Sequence, residues 1–368
     1  MTLPIFTGGE APPGQPRKDT VGSGGPSRPR RIVGAALVLL VTALVLVAAV
    51  FAYGAVTAVH LKQAFDGVTR VPLDIDASRA RLGGPQPNSP QARSPQRSPA
   101  DGRAYRSYLV VGSDAREGLG GSRADVIMLA LVPRNDAAPT LVSLPRDLYV
   151  DNPCTGLRSR INSGLAGCGD KASGVELLSV MVEDYTGVAL DHVVGFTFAG
   201  FQRIIDTVGG IDVCVDAPVR EPGGSLDLPA GCSRVDGQTA LAWVRSRHTQ
   251  EFVGGQWRTV PGVSDLTRNR RQQEVLLQLL GRVGSFRSLR NFSDLVDRTA
   301  DAVTLDRGFS LNDAVSGAWE LRGLDPASVR RPQIPVRNVV TADGAQVLEP
   351  TQPFREVLSE VYPAAYRN

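Results

Sequence analysis

Apolar and polar positions follow two rhythms along most of the chain, and a single unbroken apolar run precedes both. Ile32–Val56 is almost wholly apolar, and no Asp, Glu, Lys or Arg occurs between Ile32 and Leu61. As a helix this run spans about 37 Å against about 30 Å of bilayer hydrocarbon, which predicts a transmembrane helix over 32–56. The apolar part of a signal peptide is shorter, about 7–15 residues, so a retained anchor is expected. Further on, Tyr108–Val111, Val126–Val132 and Thr140–Leu144 are short apolar runs bounded by Gly, Asp or Pro, which predicts strands. Val175, Leu178, Met181, Val182 and Tyr185 fall on one helical face that Gly187 ends. His192–Phe198 and Ile211–Val215 read as strands around a helix built on Phe201, Ile204, Ile205 and Val208 and stopped by Gly209-Gly210. A helix over Asp236–Val244 with Asp236 as N-cap follows, then a long one over Leu266–Val283 capped by Asp265. Strands alternating with helices predict an α/β layered fold. After Phe286 the pattern weakens into helices near Phe292–Val303, Asn312–Leu321 and Phe354–Val361, with a Pro-bounded strand or two.

Composition adds boundaries. Gly83–Gly102 is rich in Pro, Ser and Gln without apolar periodicity and reads as an extended linker. The expected organisation is a disordered tail over 1–31, the membrane helix over 32–56 and a stalk with linker over 57–103. The main folded domain over 104–285 and a C-terminal extension over 286–368 complete it. Charge orients the chain: Arg17, Lys18, Arg28, Arg30 and Arg31, against Glu10 and Asp19, already supply the whole net charge of +3. The body is therefore neutral, which argues against nucleic-acid binding. The three arginines beside the apolar run place the tail in the cytoplasm and everything after the helix outside the cell membrane. All four cysteines lie on that outer side, where disulfides persist. Four cysteines allow three pairings. Cys154–Cys168 and Cys214–Cys232 are favoured because each pair brackets a Gly- or Pro-bearing loop, with free thiols as the alternative. His60, His192 and His248 are scattered, which excludes a histidine-rich zinc cage and an H-E-x-x-H metalloprotease.

Candidate chemistry sits at the edges of predicted elements. Asp114, in Gly112-Ser113-Asp114-Ala115-Arg116, directly follows a strand, and Asp125, in Arg123-Ala124-Asp125, directly precedes the next. Both could converge at one end of a sheet, where α/β ligand sites lie. Taken alone, two such aspartates read first as turn or cap residues; with a phosphate ligand they suit Mg²⁺. Arg146 follows the third strand. Arg245 and Arg247 end a helix, and Arg268, Arg271 and Gln272 share a face in the first turns of the long helix, after Asp265. Cations there oppose the helix dipole, an arrangement that an anion relieves by using the helix N-terminus and the guanidinium forks together. A solvated basic face is the plain alternative. Two metal-type carboxylates and a convergent set of arginines fit a diphosphate, since phosphoryl transfer asks a protein chiefly for positioning and charge neutralisation.

At these residues the sequence resembles the LytR-CpsA-Psr (LCP) family, also called cell envelope-related transcriptional attenuators. The stretches are VVGSDAR, RADVIMLALV, LVSLPRD, RIN at Arg160–Asn162, TVGGIDVCVD, VDGQTALAWVRSRH and DLTRNRRQQ, in order from about Tyr105 to Val283. The resemblance implies an α/β/α sandwich with a mixed central sheet and a groove for a polyprenyl tail. It implies Mg²⁺-dependent transfer of a glycopolymer from a polyprenyl diphosphate carrier onto a peptidoglycan hydroxyl. Asp114 and Asp125 would match the metal-associated aspartates. Arg146, Arg245, Arg247, Arg268 and Gln272 would match the diphosphate clamp with Asp265 in support, and Arg116, Arg123 and Arg271 would be second members. One departure is the stretch His248–Ser264 between the R-x-R pair and Asp265, longer than the family's connection and expected to be a lid or acceptor-binding loop. A polyprenyl-diphosphate phosphatase, using water as acceptor, and a non-catalytic envelope regulator remain as alternative functions.

Overall fold

A computed structural model describes residues 56, 58–83, 105–115, 119, 123–134, 137–224, 226–246, 248–259, 265–284, 296–320 and 324–359. The tail, the apolar run up to residue 55 and most of the linker lie outside the described residues. Among the described residues no helix is long and apolar enough to cross a membrane.

The strands are Thr69–Val71 (β1), Tyr105–Ser113 (β2), Ala124–Pro133 (β3), Thr140–Ser143 (β4), Tyr149–Asn152 (β5), Leu157–Arg160 (β6) and His192–Thr197 (β7). Ile211–Val215 (β8), Val219–Arg220 (β9), Asp227–Leu228 (β10), Gly231–Val235 (β11), Gln250–Val253 (β12) and Gln256–Thr259 (β13) follow. The last three are Val303–Asp306 (β14), Val336–Val340 (β15) and Gln346–Pro350 (β16). The helices are Ile75–Arg81 (α1), Gly174–Thr186 (α2), Phe198–Thr207 (α3), Gly237–Arg245 (α4), Asp265–Gly284 (α5), Leu311–Glu320 (α6) and Phe354–Ser359 (α7).

Six strands form the central sheet in the order β1-β14-β7-β2-β3-β4. The pairs β1/β14 and β2/β7 are parallel and the others antiparallel, so the sheet is mixed. Side chains alternate between its faces. Leu109 and Val111 of β2 and Ile127, Leu129 and Leu131 of β3 point into one core with α2. Val110 and the β3 residues Val126, Met128 and Ala130 point the other way, toward Leu276, Leu277 and Leu280 of α5. Two helical layers around one sheet make the α/β/α sandwich.

Local chemistry sets the helix ends. Ser173 and Glu176 close a reciprocal capping box at the start of α2, and Gly187 ends it in the left-handed conformation at φ 70°. Asp236 caps α4, accepting from Thr239 N at 2.9 Å. Thr197 caps α3, accepting from Gly200 N at 3.0 Å, so Phe198 opens that helix instead of ending the preceding strand. Cys154 is bonded to Cys168 and Cys214 to Cys232, and no cysteine is free. The second pair joins residues already opposite each other on β8 and β11.

Three expectations change. The sheet does not stay within 104–285: β1 lies in the expected stalk, and β14, in the expected extension, is inserted between β1 and β7. Strands of three and four residues carry too little alternation to be read against their surroundings. The helix expected over Phe292–Val303 is helical at 296–299 and gives way to β14 at Val303. His248–Ser264 holds the hairpin β12–β13, turned by Gly254 and Gly255 at φ 62° and 77° and paired to β9 in a four-stranded sheet.

Candidate functional site

The site is built where β2 ends and β3 begins. Gly112 lies opposite Val126 and Ser113 opposite Ala124, so Asp125 is the extra residue of a β-bulge. Bulges re-aim side chains and recur beside functional sites. Gly112 is required by the packing, because a Cβ there would lie 2.8 Å from Phe196 Cε2 and 2.9 Å from Val126 Cβ. Asp114 directly follows β2 and is exposed. The Ser113–Ala124 pairing brings the two aspartates to the same edge.

Arg146 reaches Asp125 from the turn after β4. Its Nη1 donates to Asp125 Oδ1 at 2.7 Å and its Nε to Asp147 Oδ2 at 3.3 Å. The other oxygen of Asp147 pairs with Arg160 Nε at 3.2 Å, and Asn162 N donates to the Arg146 carbonyl at 3.2 Å. A guanidinium fixed at several points spends little conformational entropy when it meets an anion.

The helical layer supplies the other side. Arg245 is the last residue of α4; it is exposed, with its guanidinium 4.4 Å over the ring of Phe198. Arg268 and Gln272, both buried, come from α5. Asp125, Arg245, Arg268 and Gln272 share the wall of one cavity of about 700 Å³. Most of the remaining wall is apolar, with Val126, Met128, Ala130 and Val132 from β3 and Leu276 and Leu280 from α5. Since the β3 lining residues alternate, the cavity follows about 20 Å of strand. Its far end is bounded by Asp313, Ala314 and Gly317 of α6 beside Tyr108. Burial raises the Tyr108 phenol pKa and keeps it neutral, while hydrogen bonds from Ser310 outweigh burial and hold Asp313 below the usual carboxylate range.

Arg271 leaves this group. Around a helix, residues four apart are offset by about 40°, whereas three apart are offset by about 60° in the other sense. Arg268 and Gln272 thus face the cavity, and Arg271 lies 3.7 Å over the Trp243 ring, donating to Trp243 O and to Thr249 Oγ1 at 3.1 Å. Arg123 is exposed and off the cavity wall. Arg116, Arg247 and the side chain of Asp265 lie outside the described residues.

Sequence reading passed over several neighbours. Asp147 and Arg160 hold Arg146, and Phe198 lies beneath Arg245. Glu221 takes the Ser246 hydroxyl and the His248 backbone N–H, while Ser246 and Thr249 share a hydrogen bond of 2.6 Å. Asp147, Arg160 and Ser246 had a signal, as parts of the LVSLPRD, RIN and VDGQTALAWVRSRH stretches. Among the described residues no three His, Cys, Asp or Glu side chains group as metal ligands. Asp125 lies on the cavity wall and Asp114 does not, though both stand at the β2–β3 edge; two carboxylates are the donor type that suits Mg²⁺, which keeps waters and substrate phosphates as its other ligands.

A model of the LytR_cpsA_psr family matches residues 84–360. The probable cell wall biosynthesis protein LcpB of Corynebacterium glutamicum is 35% identical over 202 residues, 51% of this chain and 44% of that protein. TagT of Bacillus subtilis, a polyisoprenyl-teichoic acid–peptidoglycan teichoic acid transferase, is 29% identical over 224 residues, 58% of this chain and 63% of its own length. The chain thus spans roughly half to under two thirds of these two relatives. A LytR-Csp2A-Psr enzyme from Actinomyces oris superposes with a TM-score of 0.57 at 26% identity, covering 80% of this chain and 95% of that one.

Proposed function

Since the chain belongs to the LytR_cpsA_psr family, we propose that it is a membrane-anchored, Mg²⁺-dependent phosphotransferase acting outside the cell membrane. It moves a cell-wall glycopolymer from a polyprenyl diphosphate carrier to a peptidoglycan hydroxyl. The observation that carries this reading is the cavity: an apolar channel that ends on Asp125, Arg245, Arg268 and Gln272 suits a molecule with a hydrocarbon tail and an anionic head. The transferase name of the Bacillus relative supports it, and the two disulfides suit an oxidising compartment.

The tail lies along β3 and α5, which removes its methylenes from water at about 0.8 kcal/mol each. Arg245 and Arg268 neutralise the diphosphate oxygens, and Gln272 donates a neutral hydrogen bond beside them. Asp114 and Asp125 would hold the ion, which when bound supplies further neutralisation of the diphosphate. Arg146 fixes the Asp125 rotamer. The acceptor oxygen forms a bond to the sugar-side phosphorus, the bond from that phosphorus to the bridging oxygen breaks, and polyprenyl phosphate leaves. Asp125 is committed to Arg146, so a carboxylate oxygen of the exposed Asp114 takes the hydroxyl proton. His192 is no candidate base: it pairs with Asp306 and lies against Tyr108 and Phe309.

The test is transfer by the full chain in vesicles, with a polyprenyl diphosphate-linked glycan, peptidoglycan and Mg²⁺. Phosphodiester-linked glycan on peptidoglycan is the expected product. Free phosphoglycan alone would mean a phosphatase, and no turnover would favour an envelope regulator.

A further inference from the structure

The cavity has a polar end at Asp125 and a far end lined by α6. That helix turns Asp313, Ala314 and Gly317 toward the cavity. It turns Val315 and Trp319 outward, 39% and 70% exposed. Their i, i+4 spacing sets both on one strip of the helix surface. Val315 and Trp319 thus set two large apolar side chains on the side of α6 that faces away from the apolar channel.

The route of the chain identifies the contact. The apolar run Ile32–Val56 leads straight into the helical residues 58–66. Phe65 and Val68, at the end of that segment, form a cluster with Leu305, and Phe309, Leu311 and Ala314 pack against it. Arg70 ties the same corner, donating from Nη1 to the carbonyls of Asp306 at 3.1 Å and Phe309 at 2.6 Å. The segment that leaves the expected anchor is therefore seated against the base of α6. Val56 and Val59, earlier on it, are each 55% exposed.

We infer that the outward strip of α6, Val315 with Trp319, rests on the lipid bilayer and turns the far end of the cavity toward the membrane. A tryptophan suits this place, since its amphipathic ring is enriched at the level of lipid headgroups. The arrangement rests on the reading of the substrate as a polyprenyl diphosphate. It lets the tail pass between bilayer and cavity with few methylenes in water, while the diphosphate end points away from the membrane toward the wall.

Bromine-labelled lipids in phosphatidylcholine–phosphatidylglycerol vesicles, carrying the full chain, test the contact by quenching tryptophan fluorescence. Trp319→Phe is expected to remove the quenched component, since Trp243 is buried and Trp257 lies on the β12–β13 hairpin. Equal quenching in wild type and variant would overturn the inference. Val315→Asp with Trp319→Asp should lower transfer from a vesicle-embedded long-chain donor on the order of tenfold. Transfer from a water-soluble short-prenyl donor should stay at the wild-type rate; equal loss with both donors would overturn the docking role. Wild-type chain that turns over neither donor, yet loses quenching with Trp319→Phe, would sink the transferase reading and leave the membrane contact standing.

Discussion

A guanidinium does different work at 245 and at 271, though both lie over aromatic rings. Arg245 stacks on Phe198 at the cavity wall and keeps its donors toward the space a ligand would fill. Arg245→Ala and Asp125→Ala should each slow transfer about 100–1000-fold, the usual loss for a group that stabilises developing charge. Arg245→Lys should recover little of it, because an ammonium lacks the bidentate fork. Initial rates beside unchanged thermal melts check this; near wild-type turnover by both alanine variants would remove the site from the mechanism. Arg271 is enclosed, and burial lowers its pKa to about 10 despite the nearby carboxylates of Glu221, Glu274 and Glu251. Arg271→Ala should cost about 2 kcal/mol through the lost cation–π contact and hydrogen bonds, seen in urea unfolding. The grouping of Asp114, Asp125, Arg146, Arg245, Arg268 and Gln272 was legible because each stands at an element edge or on one helical face. Asp147 and Arg160 stood in the PRD and RIN stretches without a readable role, and Phe198 had no signal, because their roles come from contacts between elements that no local spacing encodes. Arg271 was misplaced by treating i+3 and i+4 as one face.

Helices and strands answer to their ends and crosslinks. The Glu176 carboxylate accepts from Ser173 N at 2.9 Å and Asp74 N at 3.3 Å. Burial opposes its charge, but these hydrogen bonds win and hold its pKa below the ordinary value of 4.5. A depressed carboxylate adds stability that is present above the unfolded value and is lost as pH falls through the folded one. Glu176→Gln should therefore flatten the decline of stability below about pH 4.5. An unchanged acid limb in denaturant titrations from pH 6 to pH 3 would contradict it. Replacing either cystine by two serines should cost about 3 kcal/mol by the loop-closure estimate, for loops with separations of 14 and 18 residues. Paired unfolding curves of oxidised wild type and each variant give the comparison. At this scale the sequence reads well wherever an element exceeds one turn or carries its own cap, as α2, α4 and β3 do. It fails for β1 and β14, whose few residues become strands only because the sheet offers them an edge.

The whole molecule joins a sheet from distant parts of one chain. Residues 57–368 are proposed to face outward, so a reporter fused after Asn368 should be active only if it functions outside the membrane; cytoplasmic activity would reverse the topology. The edge of the sheet adds a constraint in time. Arg70 binds the backbone of a residue 236 positions later in the chain, and β14 stands between β1 and β7. A chain made from its N-terminus completes β1 early and must wait for nearly all the rest before that strand has a partner. Until then β7 also presents an unpaired edge, a template for mispairing with other chains. Synthesis of this protein therefore creates a window of vulnerability set by how fast the chain between β7 and β14 is delivered. A chaperone that shields strand edges would be most useful in that interval, and premature termination before residue 303 should yield aggregates, not a smaller folded protein.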